Sequence, residues 1–163
     1  MLIRAALTAT VALALSVGAT AQAPGEWRYS IATDQSNIPA DMRVNFPAIT
    51  FSTCRSAEDF SSGRAFALQT LASSAARCPS TGFVRAPLRT GAGQSLSYVY
   101  ACDDGKTLSG LAQGSVFAKS FSVALESRYA APVNGVAVVR QTMTGTRIGP
   151  CKVAPDADDI KVK

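Results

Sequence analysis

From Phe83 to Arg147 apolar and polar residues take turns, and the runs are broken by glycine-bearing turns. That pattern confines the chain to consecutive antiparallel hairpins. Val84, Ala86 and Leu88 share one face of the first run, Gly91-Ala92-Gly93 reverses the chain, and Leu96, Tyr98, Tyr100 and Cys102 share a face of the second. Read as a three-residue loop, Asp103-Asp104-Gly105 sets Tyr100 opposite Leu108, Tyr98 opposite Gly110 and Leu96 opposite Ala112, a matching that a two-residue loop spoils. Val133-Asn134-Gly135, read the same way, sets Leu125 opposite Met143 and Tyr129 opposite Val139. The same register places Arg128 opposite Arg140, a repulsion that an anion or Glu126 would have to relieve.

Upstream, Trp27, Tyr29 and Ile31 alternate with Arg28, Ser30 and Ala32, which predicts a strand over Glu26 to Thr33 with one buried face. A loop from Asp34 to Met42 leads to a second extended run, Arg43 to Thr53. There Val44 and Phe46 take one phase and Ile49 and Phe51 the other, with Pro47-Ala48 at the change. The segment from Ser56 to Ala76 reads as helical. Ser56 is placed to cap it, Glu58 and Asp59 favour its positive end, and Phe60, Ala67, Leu68, Leu71, Ala72 and Ala75 form a stripe that packs on a sheet, with Gly63 able to split it. The expected fold is mainly β: a curved antiparallel sheet or incomplete β-barrel of about seven strands with one helical segment packed on it.

Met1-Leu2-Ile3-Arg4 followed by an uncharged apolar stretch, Ala5 to Ala19, and the small residues Ala19-Thr20-Ala21 has the layout of a secretory signal peptide. Roughly 15 apolar residues fall short of the ~20 that span a bilayer. Cleavage after Ala21 makes Gln22 the first mature residue, whereas cleavage after Ala23 would put Pro24 at the scissile bond. Residues 22–151 then form one domain and 152–163 a polar, mobile tail, in a periplasmic or secreted protein. For an exported chain, Cys54, Cys78, Cys102 and Cys151, none in a C-x-x-C pair, read as two disulfides. Four cysteines allow three connectivities. The hairpin pairing brings Cys78 toward Cys102, which leaves Cys54 for Cys151.

The 163 residues contain no histidine, which removes imidazole catalysis and mixed Cys/His metal sites. The formal net charge of +5 comes from scattered rather than massed basic residues, so nucleic acid is not an expected partner. Asp103-Asp104 beside Gly105 is explained by turn chemistry, and Asp156, Asp158 and Asp159 belong to the tail. Neither a G-x-S-x-G elbow nor an S-x-x-K motif occurs. No catalytic residue, metal or cofactor is expected.

Several pieces together resemble a known family: Pro24-Gly25-Glu26-Trp27, Thr53-Cys54 with Ala57-Glu58-Asp59, the hairpin succession, and the closing run from Thr142 to Cys151 with Gly145, Arg147 and Gly149. Over nearly the whole mature length the chain is similar to the bacterial exported family called domain of unknown function 3617. The resemblance implies a small, exported, disulfide-containing β-rich protein of Gram-negative envelopes with no established activity. The chain departs from that family's methionine- and proline-rich loop after the first strand, having Asp34 to Met42 there.

Two function classes follow. In the first, a non-catalytic module binds an apolar ligand or a segment of another envelope protein on the concave sheet face, where Gly110, Ala112 and Gly114 leave low ground walled by Tyr98, Tyr100 and Leu108. The competing explanation of the same residues is that the glycines only let the sheet bend, with a tyrosine covering the bare backbone. In the second class, outward-facing Arg128 and Arg140, with Arg85 and Arg89, form an anion-binding surface. An enzyme of unknown class has no residues in its support.

Overall fold

Trp27, Tyr29 and Ile31 all turn to one side of strand β1 (Gly25–Asp34) and are buried there, as the two-residue period of a strand requires. The computed structural model describes residues 21–36, 38–43, 47–67, 78–152 and 161–162. The further strands are β2 (Ile49–Arg55), β3 (Ser80–Pro87), β4 (Gln94–Cys102), β5 (Leu108–Val116), β6 (Ser120–Val133), β7 (Val136–Gly149) and the two-residue β8 (Lys161–Val162). They make one antiparallel sheet in the order β3-β4-β5-β6-β7-β1-β2-β8. Seven strands are long, and the sheet is mainly what the alternation predicts. Residues 44–46, which carry the expected Val44 and Phe46, lie outside the described residues, as do the expected leader positions 1–20.

Among the described residues the helical segment is broken at Gly63, as the sequence allows. Helix α1 (Ala57–Ser61) starts at a capping box in which Ser56 Oγ accepts from the Asp59 N–H at 3.1 Å and Asp59 Oδ2 accepts from the Ser56 N–H at 2.8 Å. It stops because Gly63 takes φ of 84°, after which Arg64–Phe66 forms a single 3-10 turn. Leu68, Leu71, Ala72 and Ala75 lie outside the described residues. Within the tail, Lys161–Val162 pairs with Ser52 and Phe51 on β2.

Phe60, Ala65 and Phe66 form a plug against the inner face of the sheet. Tyr29 on β1 donates its hydroxyl to the Ala65 carbonyl at 3.1 Å, and Tyr98 on β4 donates to the Phe66 carbonyl at 2.7 Å. Four inter-strand steps separate β4 from β1, about 19 Å in a flat sheet. Two side chains so far apart meet adjacent carbonyls only if the sheet curls around the plug. Phe121 on β6 completes the cluster, with its ring centroid 5.1 Å from Phe66, 5.5 Å from Tyr29 and 5.9 Å from Trp27.

Three registers differ from expectation. The connection after β4 runs over residues 103–107, where Thr107 Oγ1 donates to Asp103 Oδ2 at 2.6 Å, so that Cys102 faces Leu108, Tyr100 faces Gly110 and Tyr98 faces Ala112. After β6 the turn is the two residues Asn134-Gly135, both at positive φ, between the paired Val133 and Val136. An irregularity between Arg128 and Val133 then sets Val123, not Leu125, opposite Met143, and Glu126, not Arg128, opposite Arg140. In β3 the expected inner face is inverted. Val84 is 60% exposed, while Phe83 and Arg85 turn inward across a register shift between Thr81 and Val84. The Phe83 ring stacks 4.8 Å from Tyr98 and lies against Gly63, where no side chain would fit.

Both disulfides pair as the strand reading favours. Cys54–Cys151 ties the end of β2 to the second residue after β7, and Cys78–Cys102 ties the entry of β3 to the end of β4. Their sequence separations of 97 and 24 imply different losses on opening. Cys151→Ser should lower unfolding free energy by about 1 kcal/mol more than Cys78→Ser. Urea denaturation of the two variants measures the difference, and a larger loss for Cys78→Ser would contradict it.

Candidate functional site

The concave face has the four residues that sequence pattern brought together for a ligand, but they are packed. Tyr98, Tyr100 and Leu108 are buried, and Gly110 lies directly opposite Tyr100. A Cβ at Gly110 would strike the Tyr100 ring and the Glu126 carbonyl oxygen, so the ring occupies the ground that the glycine leaves low. Tyr100 shares a 2.7 Å hydrogen bond with Ser127 and is thereby held in place. This is the covering arrangement rather than a groove.

The buried phenols sit in a low-dielectric interior. Burial pushes Tyr29 up to about 12 despite the Arg55 guanidinium beside it, whose Nε donates to the Tyr29 hydroxyl at 3.1 Å. Burial likewise raises Tyr98 and Tyr100, the neighbouring phenol adding to the effect at Tyr98. None is held as a phenolate at neutral pH, so the tyrosines act as hydrogen-bond donors and packing groups.

Arg85 corrects the expectation that it points outward. Its Nη1 donates to Gln22 Oε1 at 2.9 Å, its Nη2 donates to the Phe60 carbonyl, and its guanidinium lies 5.5 Å from the Phe66 ring centroid. Desolvation lowers its pKa below that of an ordinary arginine. Arg85 is therefore part of the plug's binding to the sheet, while Arg89 is exposed in the following turn.

The convex face carries the arrangement that sequence analysis did not anticipate. Pairing across successive strands aligns Val99, Leu111, Glu126, Arg140 and Asp34 in one row. Its first half is apolar, with Val99 48% and Leu111 42% exposed. Its second half is ionic: Arg140 Nε donates to Glu126 Oε2 at 3.1 Å, and Asp34 follows on β1. The Asp34 carboxyl is held below the usual carboxylate range by the N–H and hydroxyl of Ser36, with Arg140 and Arg43 adding to the effect. Shallow depressions flank the row on either side and share Leu111 and Glu126; Arg128 borders one and Gln113 the other. The expected Arg128–Arg140 pair is thus not a paired cationic site, because Arg140 is matched with a carboxylate and Arg128 faces Val138. The missed signal was the order Glu126-x-Arg128, which puts an acid and a base on one strand face two residues apart. A register two residues away from the expected one exchanges which of them meets Arg140.

Around this row the same face is small and polar, with Ser97, Gln113, Thr142, Thr144 and Ser30 on neighbouring strands. Among the described residues no cluster of three or more Cys, Asp or Glu side chains is placed to hold a metal ion, and no helix is long and apolar enough to cross a membrane. A family model described as protein of unknown function, DUF3617, matches residues 22–151. No curated protein and no solved structure matches the chain.

Two outcomes follow from the filled interior. Gly110→Val should cost roughly 1 to 3 kcal/mol through overpacking, read as a lowered denaturation midpoint; unchanged stability would show room over Gly110. The tyrosines predict alkaline sensitivity with a definite sign. An unfolded phenol ionises near pH 10, whereas folded Tyr29 holds its proton to about 12, so the folded state binds more protons between those values. The stability from burying it is complete below pH 10 and declines as pH rises toward 12. Denaturation midpoints measured from pH 8 to 12 should fall above 10, and the fall should be shallower in Tyr29→Phe.

Proposed function

The chain belongs to the DUF3617 family of proteins of unknown function, and from that premise we propose an exported, non-catalytic module that presents its convex sheet face to another protein of the cell envelope. The observation that carries this reading is the division of the two faces. The concave face is filled by the plug, and the convex face exposes a continuous row from Val99 to Asp34 that passes from apolar to ionic. An extended segment with an apolar side chain beside a charged pair matches such a row in both halves.

Export is supported by the signal-like start of the chain and by two disulfides, which persist in oxidising compartments. In this reading the leader is removed after Ala21 and the protein resides in the periplasm or beyond. The module needs no cofactor, and its buried tyrosines serve the fold rather than chemistry. A small apolar ligand fits the Val99–Leu111 half alone, and a free anion fits Arg128 better than the neutralised Arg140.

A photo-crosslinking residue placed at Leu111, with a second at Arg89 as the off-face control, tests the surface in exporting cells. The Leu111 probe should yield a protein adduct at least several-fold stronger than the Arg89 probe, and Arg140→Glu should abolish it. An adduct insensitive to Arg140→Glu, a lipid adduct, or equal yields at the two positions would overturn the reading.

A further inference from the structure

Gln22 is 2% exposed, and its two amide atoms fare differently. Oε1 accepts from Arg85 Nη1 at 2.9 Å. Nε2 is the one buried side-chain nitrogen or oxygen among the described residues with no hydrogen-bond partner. A buried amide nitrogen without an acceptor bears its desolvation cost with no return. The surroundings do not favour a positive charge there either, because Arg85 is already a cation and is fixed by the Phe60 carbonyl and the Phe66 ring. Cleavage after Ala21 would add an α-ammonium group on this same residue, whose side chain already binds that guanidinium.

We propose that Gln22 is converted to pyroglutamate once the leader is removed, an inference that rests on the cleavage position given above. The α-nitrogen of Gln22 attacks its own Cδ and forms a C–N bond. The Cδ–Nε2 bond breaks, and Nε2 leaves as ammonia with the proton that the amine gives up. The step needs no oxidant, reductant or second substrate. Its product is a neutral five-membered lactam.

Each atom's fate matches what surrounds it. The lactam keeps the carbonyl oxygen, which is the acceptor that Arg85 uses. It discards the one nitrogen that has no partner and removes the charge that the new terminus would bring beside Arg85. The next residue is already docked, since the Ala23 N–H donates to the Ala118 carbonyl at 2.8 Å and the Ala23 carbonyl accepts from Trp27 Nε1 at 3.1 Å. The blocked terminus thus becomes a neutral stopper beside the plug, and its lack of a free amine protects the chain from aminopeptidases.

The test is tandem mass spectrometry of the N-terminal peptide of the full exported protein, isolated in its oxidised form. The expected peptide begins at residue 22 and is about 17 Da lighter than its linear sequence, the mass of one ammonia. Gln22→Glu, whose terminal residue cyclises far more slowly, should retain its linear mass. A peptide that begins at Gln22 with its full mass would overturn the inference and leave the cleavage position standing. A peptide that begins elsewhere would overturn both, and so identifies the cleavage reading as the fault. A thermal midpoint no higher for the cyclised protein than for freshly processed linear protein would show the ring to be adventitious and would also overturn the inference.

Discussion

Two phenolic hydroxyls on strands four steps apart, Tyr29 and Tyr98, bind the adjacent carbonyls of Ala65 and Phe66, and the rest of the molecule is arranged so that they can. A buried carbonyl at the end of a short 3-10 turn needs a donor, and a buried phenol needs an acceptor. Each pair satisfies both needs where water is excluded. Because both acceptors belong to the same turn, the sheet curves around a fixed point rather than opening into a flat, two-sided layer. Phe66 sits at that point, against Phe60 and Phe121, under the guanidinium of Arg85.

The plug explains why charged side chains reach inward in a domain of this size. Arg55 lies over the Tyr29 ring and donates to its hydroxyl, while Arg85 caps Phe66 and donates to the Phe60 carbonyl. Arginine suits both positions because its planar, weakly hydrated head can stack on a ring while its N–H groups serve nearby oxygens. A lysine would supply the charge without the planar match. The two disulfides act at the margins of this arrangement. Cys54–Cys151 spans β1 by joining the strand on one side of it to the end of the strand on the other, and Cys78–Cys102 fixes the entry to β3, the edge strand farthest from β1. The curled sheet is thereby fastened near both of its ends.

With the inside committed to packing, two features stand apart from it: the exposed row on the convex face and the buried amide of Gln22. They differ in kind. The convex row is a consequence of register, since it takes pairing across five strands to align Val99 with Asp34. Gln22 is a consequence of position, a polar residue drawn into the seam where Arg85 meets the plug.

The sequence by itself determined the class of fold, the faces of most strands and the cysteine partners. Alternation has a period of two, so a face can be read from one strand alone: Trp27, Tyr29 and Ile31, then Leu96, Tyr98 and Tyr100, are buried as their spacing requires. Register cannot be read in that way. A slip of two residues returns every side chain to the same face, so the expected pairing of Leu125 with Met143 and the actual pairing of Val123 with Met143 satisfy the pattern equally. Only the actual turn lengths and the irregularity after Arg128 distinguish them, and these decide that Arg140 meets Glu126. Tertiary structure also decided β3, where Phe83 and Arg85 displaced Val84 from the inner face because the plug offered a glycine to lie against and a ring to cover. It set the break in the helical segment for a similar reason: an apolar stripe records which residues seek burial, whereas Gly63 at positive φ and the two tyrosine donors fix where the chain leaves α-helix for a 3-10 turn.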